Sequence, residues 1–150
     1  MTLESQESFV VRAPRQAVWS YTSDMRNWAA NMPGYESFEQ ISQTDSRWTL
    51  SLKLGPFKRT VKMLVHITDW DEPERVAFLL KSETDPVNGE GGFVATEQGA
   101  DETSVELRLR IDSTGPMAGM MESMAKPVLV RMQKSFARSI TEDIERGKAV

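Results

Sequence analysis

The sequence predicts one α+β domain over residues 1–150, in which a curved antiparallel sheet of about seven strands wraps around a long C-terminal helix. Apolar residues recur at every second position through much of residues 47–111, which is typical of half-buried strands. The turns between these runs are short, which favours antiparallel neighbours. From residue 117 the apolar period becomes three or four, which indicates one helix face. A sheet that wraps a helix in this way leaves space for an apolar cavity.

The first strand and a short helical pair occupy the N-terminal part of the chain. Residues 8–11 are rich in β-branched and aromatic side chains and predict a strand. Pro14 suits the first position of a helix that continues to Tyr21. Met25–Ala30 predicts a second helix with Asp24 as its cap, and the Pro33-Gly34 dipeptide ends it in a turn.

Six further strands and the long helix complete the chain. The strands are expected over residues 38–44, 47–54, 60–67, 76–80, 89–95 and 105–112. The helix begins after Gly115-Pro116 and ends near Gly147. Pro127 interrupts its apolar stripe, so we expect a kink or a division into two helices there.

Composition excludes several classes of function. The chain has 39% hydrophobic and 27% charged residues, as in ordinary globular proteins. Its 18 basic and 22 acidic residues give a net charge of −4, which argues against nucleic acid as a partner. There is no cysteine, so disulfides, thiolate catalysis and Cys-ligated metals are excluded. The N-terminus does not resemble a signal peptide, and no apolar run is long enough to span a membrane. We therefore expect a soluble cytoplasmic protein, and peripheral contact with a membrane remains an open alternative.

One face of the strands and one stripe of the last helix are predicted to line the cavity. The strand residues are Trp48, Leu50, Leu52, Met63, Val65, Phe78, Leu80, Phe93, Val105, Leu107 and Leu109. The helix residues are Met117, Met121, Met124 and Val128, and Trp28 and Met32 of the helical pair are expected to form a lid. Few of these side chains form hydrogen bonds, so the expected ligand is a mostly apolar small molecule. Methionine adapts to ligands of varied shape, although the same stripe is also compatible with plain core packing.

Polar candidates for a catalytic or metal site are few. His66, the only histidine, shares its parity with polar residues, so it is predicted to face outward without a catalytic role. The acidic residues of 69–74 lack the glycine and the distal glutamate of a calcium loop and predict a solvated turn. The glycine-rich residues 88–92 begin a strand, so they predict a bend or a close backbone approach to a ligand, and not a phosphate loop. No metal and no cofactor is expected.

Two groups of basic residues have alternative interpretations. Arg108 and Arg110 are predicted on the solvent face of the last strand; in a reversed register they would enter the cavity and bind an acid. Arg131, Lys134 and Arg138 share a face of the last helix, with Lys126 nearby. They form either a solvated helix face or a docking patch for anionic lipid or an acidic partner.

Short motifs along almost the whole chain resemble a known superfamily. Residues 9–14, Val18-Trp19, Asp24 and Pro33-Gly34 are similar to the opening of the START-like (helix-grip, SRPBCC) superfamily. Residues 53–57 and 71–76, together with Gly115-Pro116, resemble its branch that comprises the G subunits of carbon monoxide dehydrogenase. The resemblance implies a cavity for lipids, sterols, quinones or polyketides. The branch implies a role in membrane-linked electron transfer by molybdenum hydroxylases, through quinone handling or membrane recruitment.

The expected function is non-catalytic binding or carrying of a hydrophobic molecule, of lipid or quinone type, linked to membrane-associated electron transfer. Two alternatives remain open. A polyketide cyclase or dehydratase would need an acid–base group inside the cavity, for which Tyr21 and Tyr35 are candidates. An accessory protein that docks on a molybdenum hydroxylase complex of the carbon monoxide dehydrogenase type would have a filled interior and an exposed docking surface on the last helix.

Overall fold

The computed structural model describes residues 2–54, 56–84, 86–114 and 118–147, with all side chains in these ranges except those of 52, 54, 57 and 118–125. The described residues form seven strands and three helices: β1 (Thr2–Val11), α1 (Arg15–Thr22), α2 (Met25–Ala30), β2 (Tyr35–Gln40), β3 (Asp45–Leu54), β4 (Phe57–Asp71), β5 (Arg75–Ser82), β6 (Val87–Gly99), β7 (Glu102–Ser113) and α3 (Ala118–Glu145). The predicted α+β helix-grip architecture is confirmed, with a curved open sheet, a helical pair after β1 and a long last helix.

The seven strands form one antiparallel sheet in the order β1-β7-β6-β5-β4-β3-β2. Strands β2 to β7 follow one another as a meander, as the short turns predict. Strand β1 lies beside β7, and its pairing extends from Thr2 opposite Asp112 to Val11 opposite Thr103. This pairing makes β1 longer than the predicted residues 8–11, because residues 2–7 become a strand through their partner and not through their own pattern.

The first turn of the meander differs from the prediction. Strand β2 ends at Gln40, so the expected strand over 38–44 is wrong at its C-terminal end. The backbone N–H groups of Ile41 and Ser42 both donate to the carbonyl oxygen of Asp45, at 2.9 and 3.1 Å. Residues 41–44 therefore close the β2–β3 turn and do not extend the strand.

The helical pair has the predicted capping and turn residues. The carboxylate of Asp24 accepts a hydrogen bond from the backbone N–H of Arg26 at 2.9 Å, which confirms the predicted cap of α2. Pro14 precedes α1 and is not its first residue. After α2, Gly34 has a φ of +82°, and a Cβ atom there would lie 2.0 Å from the carbonyl oxygen of Ser51. Only glycine fits this turn, which ties the helical pair to β3.

Helix α3 extends without a break through Pro127, so it is one helix and not two. It ends at Glu145, and Gly147, with a φ of +75°, donates its N–H to the carbonyl oxygen of Ile144 at 3.0 Å. Phe136, Ile140 and Ile144 are buried against the sheet and the helical pair. The C-terminal half of α3 is therefore anchored in the hydrophobic core.

Trp28 lies at the centre of that core. Its ring centroid is 5.8 Å from that of Phe78 and 5.5 Å from those of Phe93 and Phe136, so α2, the sheet and α3 meet at one indole. The indole N–H donates to the carbonyl oxygen of Thr22 at 2.6 Å, so this buried polar atom is satisfied. These contacts close one end of the space between the sheet and α3.

Candidate functional site

A cavity of about 230 Å³ lies between the concave face of the sheet and α3. The described residues that line it come from β1, α2 and the turn after it, all strands from β3 to β7, and α3, and they are mostly apolar: Leu3, Trp28, Met32, Trp48, Leu50, Arg59, Val61, Met63, Phe78, Leu80, Ser82, Val87, Leu107, Leu109, Ile111, Ser113, Val128, Leu129, Met132, Gln133 and Phe136. Such an enclosure suits an apolar ligand.

Most of the predicted cavity residues lie together in this lining: Trp28, Met32, Trp48, Leu50, Met63, Phe78, Leu80, Leu107, Leu109 and Val128. Val65, Phe93 and Val105 have the predicted facing but lie in the packed core, outside this lining. Met117 lies outside the described residues, and the side chains of Leu52, Met121 and Met124 are not described. Trp28 and Met32 both line the cavity at the helical pair, where Trp28 is buried in the core and Met32 is half-buried; that they form a lid stays a prediction.

Sequence reasoning missed several residues of the lining. The apolar ones are Leu3, Val61, Val87, Ile111, Leu129, Met132 and Phe136, and the polar ones are Arg59, Ser82, Ser113 and Gln133. Met132 and Phe136 belong to the helical stripe that the sequence analysis described. Arg59 continues the inward parity of Val61 and Met63 by one step, so extending the strand by a single residue would have found it.

Two glycines of β6 allow close packing on the concave face of the sheet. Gly89 and Gly91 have the same parity as the buried Phe93 and therefore face the concave side, where neither places a side chain. A Cβ on Gly91 would lie 2.4 Å from Cζ of Phe78, so the ring of Phe78 lies directly over this glycine. A Cβ on Gly89 would lie 2.9 Å from Cδ1 of Ile111. The sequence predicted a bend or a close backbone approach to a ligand at residues 88–92, whereas the groups that lie close to these two glycines are backbone and side-chain atoms of the neighbouring strands.

Three of the polar residues of the lining belong to strands of the sheet. Ser82 and Ser113 are the last residues of β5 and β7, and Arg59 is the third residue of β4. Ser82 pairs with Met63 and Ser113 with Val87, whereas Arg59 lies four residues before Met63 on β4, opposite Leu52. Arg59 is exposed, whereas Ser82 and Ser113 are buried. The cavity has an aromatic inner end near Trp28, and Arg59 is a charged residue of its lining.

Gln133 links α3 to the sheet at the side of the cavity. Its amide nitrogen donates to the carbonyl oxygen of Leu107 at 3.2 Å, and its amide oxygen accepts a hydrogen bond from the hydroxyl of Ser5. The side chain is buried, and both ends of its amide are satisfied within the protein. Gln133 therefore positions α3 over β1 and β7.

Neither tyrosine that was considered as an acid–base group lines the cavity. The Tyr21 hydroxyl donates to the carboxylate of Asp143 at 2.6 Å and accepts from the amide of Asn31 at 2.5 Å. Burial raises the pKa of Tyr21, and the hydrogen bond to Asp143 raises it further. This network joins α1, α2 and α3. Tyr35 is exposed on β2.

A family comparison matches residues 8–145 to the model of CoxG, the G subunit of carbon monoxide dehydrogenase. The chain belongs to this family. A search of the curated proteins found no match to the sequence. Membership in the CoxG family confirms the branch that the sequence motifs resemble.

Solved structures show the same fold at low identity to this CoxG-family chain. A conserved protein from Geobacillus kaustophilus is 21% identical, with a TM-score of 0.85 and 96% of each chain covered. A START superfamily protein from Mycobacterium smegmatis is 14% identical, with a TM-score of 0.74 over 95% of this chain and 97% of that one. The Zhui aromatase/cyclase from Streptomyces sp. R1128 is 16% identical, with a TM-score of 0.72 over 97% and 95%. These likenesses show the START-like fold.

His66, Arg108 and Arg110 lie on the outer face of the sheet in this CoxG-family chain, as predicted. His66 is exposed and its Nδ1 contacts the carboxylate of Asp45, which lowers the pKa of Asp45. Arg108 pairs with Glu106 at 2.6 Å and is exposed, and Arg110 is also exposed on this face. The alternative in which Arg108 and Arg110 enter the cavity is therefore wrong.

A polar depression lies on the same outer face, over β2, β3, β4 and the residues that follow β5. Arg47 joins its walls, because its guanidinium contacts the carboxylates of Glu39 and Glu83 at 2.6 Å each. At the β4–β5 turn, Asp71 pairs with Arg75 at 2.9 Å, as expected of a solvated turn. Within the described part of the chain, no group of three or more His, Cys, Asp or Glu residues is placed to hold a metal ion.

The basic residues of α3 in this family member are accessible. Lys126, Arg131, Lys134 and Arg138 are all exposed. Among the residues that the structure describes, no helix combines the length and the apolar character needed to cross a bilayer.

Proposed function

We propose that this CoxG-family protein binds and carries a hydrophobic small molecule, of lipid or quinone type, without changing it chemically. The observation that carries this proposal is the apolar cavity of about 230 Å³ between the sheet and α3. Burial of apolar surface contributes ~25 cal/mol per Å², so a ligand that loses roughly 200 Å² of accessible surface gains about 5 kcal/mol. Affinity of this origin requires no charged anchor.

The chemistry of the lining supports binding without catalysis. General acid–base catalysis requires a titratable group within hydrogen-bond reach of the substrate. The described residues of the lining include no His, Asp, Glu, Lys, Tyr or Cys. The amide of Gln133 is already bonded at both ends. A cyclase or dehydratase role therefore has less support than a carrier role, although the fold also occurs in an aromatase/cyclase.

The family supports quinones as the first ligands to test. The family is that of the G subunit of carbon monoxide dehydrogenase, an oxidoreductase whose electrons must reach an acceptor. A quinone has a flat ring and an apolar tail, and the aromatic inner end of the cavity suits such a ring. We therefore propose membrane-associated electron transfer as the setting, with an oxidoreductase of this type as the protein partner.

We further propose that α3 brings the carrier to an anionic membrane. Lys126, Val130, Lys134 and Arg138 follow one another at intervals of four, so they form one exposed row on the helix. Cations beside an apolar residue favour contact with anionic lipid. Co-sedimentation with phosphatidylserine vesicles is expected for the native protein and not for Lys134→Glu with Arg138→Glu.

The matched control for this charge reversal is Lys81→Glu with Arg108→Glu, on the outer face of the sheet. Both double variants change the net charge by −4. If both lose vesicle binding to the same extent, the α3 surface has no specific role.

The experiment that tests the carrier proposal compares Leu80→Trp with Leu79→Trp. Leu80 lines the cavity and lies opposite Gly89, so a larger side chain has space to extend inward. Leu79 is its neighbour on the outer face and is 46% exposed. Native mass spectrometry of each purified protein, with and without added ubiquinone analogues and phospholipids, measures ligand occupancy.

The native protein and Leu79→Trp are expected to carry an apolar ligand, and Leu80→Trp is expected to lose it while keeping its circular dichroism spectrum. Equal occupancy in both variants would contradict a ligand site in this cavity. A native protein that takes up no quinone and no lipid would refute the carrier proposal itself.

A further inference from the structure

We propose that the cavity binds the oxidised, quinone form of its ligand more tightly than the reduced, quinol form. This inference rests on the proposed carrier function and adds the redox state in which the ligand is taken up. Reduction of a quinone adds two electrons and two protons and converts both ring carbonyls to hydroxyls. A carbonyl oxygen only accepts hydrogen bonds, whereas a hydroxyl also donates one. The cavity therefore distinguishes the two forms by the hydrogen-bond partners that it offers to the ring.

The aromatic inner end of the cavity, near Trp28 and Phe78, offers no indole N–H to a ligand. Trp28 lines the cavity, but its indole N–H donates to the backbone carbonyl oxygen of Thr22 at 2.6 Å. Trp48 also lines the cavity, and its indole N–H donates to the hydroxyl of Ser46 at 2.9 Å. Both tryptophans are buried, so each indole N–H is already engaged inside the protein. The two indoles therefore contribute an apolar surface and no donor.

Acceptors for a ligand hydroxyl are equally scarce in the described lining. At the inner end the described side chains are apolar, and the thioether of Met32 is a weak acceptor. Farther along the sheet, the hydroxyl oxygen of Ser82 accepts from the backbone N–H of Thr84 at 3.2 Å and lies 3.1 Å from the hydroxyl oxygen of Thr84. The amide oxygen of Gln133 accepts from the hydroxyl of Ser5. Around the inner end, the described side chains therefore present no strong acceptor to a quinol.

The lack of partners among these described side chains is more costly for the quinol than for the quinone. On entering the inner end, a quinone oxygen loses the hydrogen bonds that it accepts from water. A quinol oxygen loses these bonds and also the one that it donates, and a buried donor without a partner is destabilising. We therefore expect a preference of about tenfold for the quinone. By linkage, a tenfold preference lowers the two-electron reduction potential of the bound quinone by about 30 mV.

Such a preference gives the carrier a direction. A quinone enters the apolar cavity and stays bound until the carrier reaches the proposed oxidoreductase partner. That partner supplies two electrons and solvent supplies two protons, so the ligand becomes a quinol. The quinol binds less tightly and is released more readily, after which another quinone can enter. The apolar lining thus favours delivery of an electron acceptor over retention of the reduced product.

The test is anaerobic isothermal titration calorimetry of the whole protein with duroquinone and with durohydroquinone, which share a methylated ring and differ by two electrons and two protons. The native protein is expected to bind duroquinone about tenfold more tightly. Leu109 lies opposite Gly91, which the ring of Phe78 covers, so it belongs to the inner end. Leu109→Gln places a strong acceptor there and is expected to reduce the preference, whereas the matched control Leu109→Met is expected to retain it.

A duroquinone preference in the native protein and in Leu109→Met that is smaller in Leu109→Gln supports the inference. Equal affinities of the native protein for the two probes, tighter binding of durohydroquinone, or uptake of phospholipid without any quinone would overturn it while leaving the carrier proposal in place. An unchanged preference in Leu109→Gln with a native circular dichroism spectrum would also overturn it, and the native ratio decides alone if this variant does not fold. If the native protein binds no quinone and no phospholipid, the carrier proposal fails as well.

Discussion

Replacing Tyr21 with phenylalanine tests how the helical pair is held on α3. The change removes one hydroxyl and keeps the ring, which belongs to a residue only 3% exposed. That hydroxyl donates to Asp143 at 2.6 Å and accepts from Asn31 at 2.5 Å, so its loss breaks two hydrogen bonds between three helices. Asn31 in turn accepts a hydrogen bond from Ser139 of α3, so the network contacts α3 at two points.

The expected loss of stability in Tyr21→Phe follows from the charge on Asp143. A hydrogen bond to a charged group contributes about 1.5–3 kcal/mol, and Asp143 is a half-buried carboxylate that would lose one such bond. We expect Tyr21→Phe to lower the free energy of unfolding by about 1.5–3 kcal/mol. For a domain of this size the midpoint falls by roughly 2–4 °C per kcal/mol, so Tm should decrease by roughly 3–12 °C.

The pKa of Tyr21 adds a dependence on pH. Burial and the bond to Asp143 raise this pKa above its value of about 10 in the unfolded chain. The protonated hydroxyl therefore stabilises the fold fully below about pH 10, and this contribution is lost as pH rises toward the raised pKa of the native state. Tyr21→Phe should lack this component of the alkaline loss of stability.

Urea denaturation followed by circular dichroism measures both effects. Tyr35→Phe is the control, because Tyr35 is exposed and its replacement should change stability by less than about 0.5 kcal/mol. The reasoning is refuted if Tyr21→Phe and Tyr35→Phe unfold at the same urea concentration at pH 7.

Two further predictions concern the sheet. Gly91→Ala would place a Cβ 2.4 Å from Cζ of Phe78, so urea denaturation should show a decrease of about 1–3 kcal/mol in the free energy of unfolding. In the control Gly92→Ala, the Cβ would meet nothing closer than 3.9 Å, so the decrease should be clearly smaller. Equal decreases in the two variants would contradict the steric argument. On the outer face, His66→Gln should return the lowered pKa of Asp45 toward its ordinary value in an NMR titration, and an unchanged low pKa would assign the shift to another group.

The local pattern of apolar and polar residues was sufficient to predict most of the strands and helices. It failed where a distant part of the chain determines whether a segment forms a strand. The alternation of apolar and polar residues locates β3, β4 and β7, because each of these strands buries one face. The first half of β1 has only Leu3 as an apolar residue, and it becomes a strand because β7 pairs with it. The end of β2 depends on Asp45, whose carbonyl accepts the hydrogen bonds that close the turn.

The alternation of side chains along a strand predicted only part of the cavity lining. Parity assigns a side chain to a face of the sheet but not to a depth along the strand, so Phe93 was grouped with Leu80 although it lies in the packed core. Arg59 was missed because the strand was expected to begin one residue later. Gln133 was missed because its role depends on Ser5 and Leu107, which belong to distant strands.

The position of β1 beside β7 has a consequence for synthesis of the chain. The pair formed by Thr2 and Asp112 joins residues 110 positions apart, so β1 has no partner until most of the polypeptide has left the ribosome. Meanwhile β2 to β6 can pair with near neighbours through short turns. Closing so large a loop is slow, since the entropy is lost before the contacts form. The apolar side chains of β1 are therefore unprotected for longest, and a chain that stops before β7 leaves them exposed to aggregation.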